Sequence, residues 1–150
     1  MHRKEMDLLV EARLAAEVAG DAARCVAVYT HDVEHDLVGA PLGPLRGREK
    51  VRALHERRAQ DLRAEEIVPV RAYYGDDFCV LEHEWTGTVP GSLLGAEGGG
   101  GRVSFRVLCV WEFRDGLISR ESVWLDAAGA LAQLAAPEPA AAAAPRRVHR

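Results

Sequence analysis

Residues 103–134 read VSFRVLCVWEFRDGLISRESVWLDAAGALAQL, two long apolar-rich runs on either side of Asp115-Gly116. Asp-Gly between strand-like runs predicts a two-residue hairpin turn, because both turn residues accept positive φ at low cost. With the turn placed there, Arg114 opposes Leu117, and counting outward pairs Phe113 with Ile118, Trp111 with Arg120, Cys109 with Ser122, Val107 with Trp124 and Phe105 with Asp126. Side chains alternate faces along a strand, so these residues share one face. The apolar character of Phe105, Val107, Cys109, Trp111, Phe113, Ile118 and Trp124 makes it the inward face, leaving Ser104, Arg106, Glu112, Arg114, Ser119 and Glu121 on the other. Asp126 then lies against Phe105 and Trp124. A carboxylate desolvated by aromatic rings has a raised pKa and suits proton transfer. The competing reading makes Asp126 the N-cap of a short helix in DAAGALAQL.

Working outward, residues 5–19 carry a helical stripe of Met6, Val10, Leu14 and Val18 with Leu9 alongside. Gly20-Asp21 ends that helix and starts a second over 22–30. DVEHDLV alternates as a short strand with Val33, His35 and Leu37 on one face, and GAPLGPLRG is a loop. GREKVRALHERRAQDL reads as a third helix, whose ERRAQDLR segment is a solvated face of interspersed charges. Strands are expected over 66–74 and 78–88 before the hairpin, with PGSLLGAEGGGG between as a flexible loop or flap. Helices followed by a strand meander indicate an α+β domain over residues 1–134, helices packed on one face of a curved, mostly antiparallel sheet around an apolar pocket. The Ala/Pro/Arg-rich stretch 135–150 reads as a disordered tail.

With 48% hydrophobic residues and a formal charge of -4, the chain has ordinary globular composition. Its acidic balance, without a basic stripe interleaved with aromatics, argues against a nucleic-acid partner. Cys25, Cys79 and Cys109 are widely spaced in apolar runs, the pattern of buried thiols in a reducing compartment. Acidic residues interrupt the apolar positions of the first twenty or so residues, so no signal peptide or membrane span is read there, and a cytoplasmic location is expected.

Sorting FCVLEHEWTGT by alternation puts Cys79, Leu81, His83 and Trp85 on one face and Glu82 and Glu84 on the other. The glutamate face belongs in water, so His83 points inward, as His35 does by its own alternation. Asp126, His35 and His83 thus form a candidate acid/base set: a carboxylate that moves a proton and imidazoles that polarise a carbonyl or orient the base. His31 and His55 are read as surface helix or helix-end residues. A metal site at HDVEHD is disfavoured, because a change from helix to strand between His31 and His35 spoils their shared face. No nucleophilic triad, dinucleotide fingerprint or P-loop is present.

The stretches AGDAARCVAVYTHDVEHDL, PLRGREKVRAL, HEWTGTVPG and VWEFRDGLISRESVWLDAAGALAQL together resemble the SnoaL-like polyketide cyclases of the NTF2-like superfamily, over about residues 8–134. The TGT-x-x-G turn, the F-x-D-G-x-I hairpin and the final W-x-D before a helix are the most specific parts. The resemblance implies an α+β cone with a deep apolar pocket. It also implies that Asp126 matches the aspartate that closes rings by intramolecular aldol chemistry without metal or cofactor. On this footing the expected protein is a cofactor-independent cyclase of secondary metabolism acting on a small, hydrophobic polyketide-type substrate. Its catalytic residues would be Asp126, His35 and His83, and Tyr29, Trp85, Phe105, Val107 and Trp124 would line the pocket. Members often pair through the sheet, which implies a homodimer. The same scaffold carries isomerases, epoxide hydrolases and non-catalytic binding or dimerisation modules, so fold alone does not settle the reaction. The epoxide hydrolase pattern wants an aspartate-arginine-aspartate set. Arg120 shares the inferred inward face, but a second inward aspartate is missing.

Overall fold

The computed structural model describes residues 1–136, so residues 137–150 of the expected tail lie outside the described residues. The N-terminal stripe forms α1 (Arg3–Val18), and Gly20, at φ 66°, turns the chain into α2 (Ala22–Ala27), capped by the Asp21 carboxylate accepting from Arg24 N at 3.1 Å. The second helix stops at Ala27, before the expected end. Val28, Tyr29 and Thr30 are β-formers, and the Val28 carbonyl accepts from Ile118 N at 2.9 Å, which draws this backbone into the sheet. Strand β1 (Tyr29–Leu37) follows, then β2 (Leu45–Arg46), α3 (Arg48–Asp61), β3 (Arg63–Tyr74), β4 (Phe78–Val89), β5 (Ser92–Leu93), β6 (Ala96–Glu97), β7 (Gly101–Arg114), β8 (Leu117–Leu125) and α4 (Ala127–Ala135).

Six strands form one sheet in the order β2-β1-β8-β7-β4-β3, antiparallel except for the β1/β8 pair. Helices on one side of a mostly antiparallel sheet are the α+β layering that the order of elements predicts. Pro69, which has no N–H to donate, is accommodated in β3, an edge strand with register shifts at Ala64/Glu66 and Pro69/Arg71. The glycine-rich segment is more ordered than a bare loop. β5 and β6 pair as a small hairpin that buries Leu93, and the Asp61 side chain accepts from Ser92 N at 3.2 Å.

The β7–β8 turn closes at Asp115-Gly116, both at positive φ, and the pairs Arg114↔Leu117 and Phe113↔Ile118 form as the sequence predicts. One residue later the register slips. Glu112 pairs with Arg120, leaving Ser119 as an extra residue, so Trp111 faces Glu121, Cys109 faces Val123, Leu108 faces Trp124 and Val107 faces Leu125. An extra residue reverses the facing of everything beyond it. The expected pairs of Trp111 with Arg120, Cys109 with Ser122, Val107 with Trp124 and Phe105 with Asp126 are therefore corrected. Without the bulge, β8 would aim the Arg120 guanidinium into the apolar layer. With it, Arg120 lies within 4.0 Å of Glu34, Asp36 and Glu112. Glu121 takes the inward place instead.

Candidate active site

Between the inner sheet face and helices α1 and α3 lies a cavity whose empty space, its solvent-open mouth included, is about 580 Å³. Its walls are mostly apolar, including Trp85, Phe105, Val107 and Val123, and its ionisable lining is Glu17, Arg58, His83, Cys109 and Glu121. A second cavity, of about 340 Å³ with its solvent-open mouth included, runs toward Cys25 and His55; Glu17, Arg58, Leu62 and Trp85 line both. Trp85 stacks on Phe105 with ring centroids 5.1 Å apart, giving the larger cavity an aromatic wall.

Behind that wall is a buried polar network centred on Arg13, which is 1% exposed. Its guanidinium donates to Glu121 at 3.1 Å, Glu17 at 3.2 Å and the Tyr29 hydroxyl at 2.7 Å. Tyr29 donates its one proton to Glu121, so the contact of 3.1 Å between His55 Nε2 and the Tyr29 oxygen requires His55 to be the donor, which fixes its tautomer. Burial alone would raise the Glu121 carboxyl, but Arg13, His35, the Tyr29 hydrogen bond and Arg58 together hold it below the ordinary carboxylate range. Burial likewise opposes the charge of Arg13, and Glu121, Tyr29 and Glu17 more than restore it. An ionised carboxylate is thus locked against a cationic guanidinium at the cavity wall.

The three inward histidines are neutral at neutral pH. Burial lowers His35 to about 4, and it lowers His55 and His83 as well. His35 Nε2 and His83 Nδ1 are buried without a hydrogen-bond partner. His35, His55 and Glu121 bring three ligand atoms within 4.8 Å of one another, the one such set among the described residues. Arg13 already places a positive charge on that carboxylate, and His55 Nε2 is engaged by Tyr29, so a metal ion here would face like-charge repulsion.

Because the folded pKa of His35 lies below the ordinary 6.5, the unfolded chain binds the proton first. The stability from keeping His35 neutral is complete above pH 6.5 and lost as pH falls toward about 4. The loss is about 3 kcal/mol for a shift of this size, and His55 adds in the same direction. Urea unfolding midpoints should therefore drop steeply from pH 7.5 to pH 4.5, and His35→Gln should flatten that dependence. Equal midpoints across the range would contradict the buried, neutral assignment.

Of the residues singled out by the sequence, His83, Trp85, Phe105 and Val107 line the cavity. Tyr29 and His35 are buried in the network behind it. Trp124 and Asp126 are not inward. Trp124 is 42% exposed, and Asp126 is exposed and caps α4, its carboxylate accepting from Gly129 N at 3.0 Å. The bulge at Ser119 is the cause of both corrections. Asp126→Ala should cost about 1 kcal/mol in thermal or urea unfolding, whereas Asp126→Asn, also a good cap, should cost little. An equal loss in both variants would contradict the capping role.

Sequence reasoning missed Arg13, Glu17, His55, Arg58 and Glu121. His55 is buried rather than on the surface, and Arg58 lines both cavities although its neighbour Arg57 is solvated. A signal existed in α1. Arg13 and Glu17 lie seven and eleven residues after Met6, on the same stripe as Val10, and the buried face is Met6, Val10, Arg13 and Ala16, while Val18 is exposed.

The SnoaL-like domain family matches residues 10–121. No curated protein matches the chain by sequence. A "putative polyketide cyclase" from Xanthomonas campestris pv. campestris superposes with a TM-score of 0.75 at 23% identity, covering 88% of this chain and 98% of that one. A hypothetical protein with ketosteroid isomerase-like fold from Catenulispora acidiphila gives 0.71 at 18% identity, covering 86% and 93%. An LEH-like epoxide hydrolase of M. tuberculosis gives 0.70 at 22% identity, covering 87% and 90%. At these identities the likeness establishes a common ketosteroid isomerase-like fold and leaves the reaction to be argued from the site.

Proposed function

The chain belongs to the SnoaL-like domain family, and from that premise we propose that it is a cofactor-independent enzyme that closes a ring on a polyketide-type substrate held in the larger cavity. The observation that carries this reading is Glu121, an ionised carboxylate at the wall of a mostly apolar cavity that a neutral His83 also lines. The acid/base assignment thereby moves from Asp126 to Glu121. The carboxylate takes a proton from a carbon between two carbonyls, and the resulting enolate carbon attacks a third carbonyl of the same chain. The proton then returns to the new alkoxide. His83, as a neutral donor, stabilises the developing oxyanion. No electrons leave the substrate, so the reaction is an isomerisation. The aromatic wall of Trp85 and Phe105 holds the chain folded, which supplies the entropic part of the acceleration.

One observation favours a second reading. Arg13 bridges two carboxylates, Glu17 at 3.2 Å and Glu121 at 3.1 Å, a carboxylate-arginine-carboxylate set that suits epoxide opening, with one carboxylate taking a proton from the attacking water and that proton passing to the opened epoxide oxygen. Turnover of an aromatic poly-β-ketone carrying a pendant ketone, compared with turnover of an apolar epoxide of similar size, separates the two. Ring closure without epoxide hydrolysis supports the cyclase. Hydrolysis of the epoxide alone overturns it.

The outer sheet face exposes Val68, Tyr73, Phe78, Leu108 and Trp124, and we propose that two copies pair through it. Sedimentation should give a dimer mass for the parent chain and a monomer mass for Leu108→Glu with Trp124→Glu. A monomeric parent would overturn the pairing.

A further inference from the structure

Arg58 sits half-buried on α3, where it lines both cavities beside Glu17, Leu62 and Trp85. Every other charged group around it is satisfied. Glu17 accepts from Arg13 through one oxygen and from Trp85 Nε1 at 3.2 Å through the other. Glu121 accepts from Arg13 and Tyr29 in the same divided way. Each oxygen of the two wall carboxylates thus has a donor from the network, and Arg58 makes no side-chain hydrogen bond or ion pair among the described residues. A guanidinium carries five donors and is not deprotonated in proteins, so the cavity presents an unanswered cationic fork beside an aromatic wall.

We propose that Arg58 selects a substrate that is an aromatic or extended apolar molecule bearing one carboxylate, and anchors that carboxylate at the junction of the two cavities. The inference rests on reading the larger cavity as a substrate pocket. A single negative charge is preferred over a dianion, because Glu17 and Glu121 already contribute negative charge to the wall and a second charge on the ligand would be repelled. The anchor fixes which end of the substrate lies near Arg58, and so which part of the chain reaches Glu121 and His83. Arg58 is therefore a specificity-determining residue and takes no part in moving protons. Its charge also helps hold the Glu121 carboxyl ionised, so a ligand carboxylate bound there weakens that support slightly.

Binding of 2-naphthoate, its neutral methyl ester and 2-naphthyl phosphate, followed by quenching of tryptophan fluorescence at pH 7.5 and low salt, tests this directly. The parent protein should bind the carboxylate about ten-fold more tightly than the ester, the scale of one charge-assisted hydrogen-bonded pair. Arg58→Met should erase that ratio and leave the ester's affinity within about two-fold. Arg58→Lys should keep part of it, and Arg57→Met, altering the solvated neighbour, should keep all of it. Equal binding of carboxylate and ester by the parent, or an equal loss of both in Arg58→Met, would overturn the proposal. Tighter binding of the phosphate would overturn the single-charge assignment. Failure of all three probes to bind would sink the substrate-pocket reading and the anchor with it, an outcome distinct from the loss of selectivity alone.

Discussion

Arg13→Met is expected to lower the free energy of unfolding by about 3–5 kcal/mol at pH 7.5, the cost of stranding one partner of a buried ion pair. Arg13 is 1% exposed and Glu121 2%, so water cannot replace the lost guanidinium. The variant leaves Glu121 with the Tyr29 hydroxyl as its remaining close donor, and it strips Glu17 of one of its two contacts. The pH dependence carries the sharper signature. In the parent, the Glu121 carboxyl is held below its ordinary 4.5. Its contribution is therefore present above that pH and lost as pH falls. In the variant, burial acts on Glu121 without its guanidinium, so its pKa rises and the protonated form becomes the comfortable one. The deficit of Arg13→Met should accordingly shrink between pH 7.5 and pH 4. Arg13→Met combined with Glu121→Gln should recover part of the loss, because no stranded charge remains. A deficit under about 1 kcal/mol, or one independent of pH, would mean that solvent reaches the pair and that the network is not a buried one.

Most of the scaffold was legible because it rests on local signals. The Asp-Gly turn, the alternation that turned His83 and Trp85 inward, and the helix-then-meander order each follow from a few adjacent residues. The site was legible only in part, because its geometry depends on one non-local event. A bulge at Ser119 has no unambiguous sequence mark, yet it exchanges Glu121 for Asp126 on the inner face and moves Trp124 into solvent. Arg120 and Glu121 are adjacent charged residues, and one of them had to point inward on a regular strand. What decides between them is the company each finds. Outside, Arg120 meets Glu34, Asp36 and Glu112; inside, Glu121 meets Arg13 and Tyr29. Except for Glu112 on the adjacent strand, those partners come from α1 and β1, far away in sequence. The same holds for His55 and Arg58, whose helix reads as solvated until α2 and the sheet cover one side of it. Polar residues on buried faces are where pattern reading fails, and here those failures gather at the cavity, as expected when local rules yield to function.

Glu121→Gln is expected to reduce the rate of ring closure by about two to four decades with KM little changed, the range for removing a positioned general base. Glutamine keeps the shape and its one carbonyl oxygen can still accept from Arg13, although its amide nitrogen cannot accept from Tyr29, so the cavity persists while the proton acceptor is gone. Arg13 retains Glu17 as a counter-charge at 3.2 Å, which limits the structural penalty that would otherwise blur the result. A carboxylate with a depressed pKa is a weak base, and that matters for which substrates it can serve. It suffices for a carbon flanked by two carbonyls, where the proton is already labile, and falls short for an isolated ketone. The depressed pKa also keeps the base ionised well into acid, so kcat/KM should stay flat from neutral pH to below 4.5, down to where the fold itself gives way. An acid limb centred near 6.5 would instead point to a histidine as the base. Asp126→Asn, altering a carboxylate outside the cavity, should keep the parent rate and separates the two candidates in one comparison. If Glu121→Gln closes rings as fast as the parent, proton transfer is not what this cavity contributes. The acceleration then comes from confining a reactive chain against Trp85 and Phe105, an effect that well-oriented intramolecular reactions can supply by themselves.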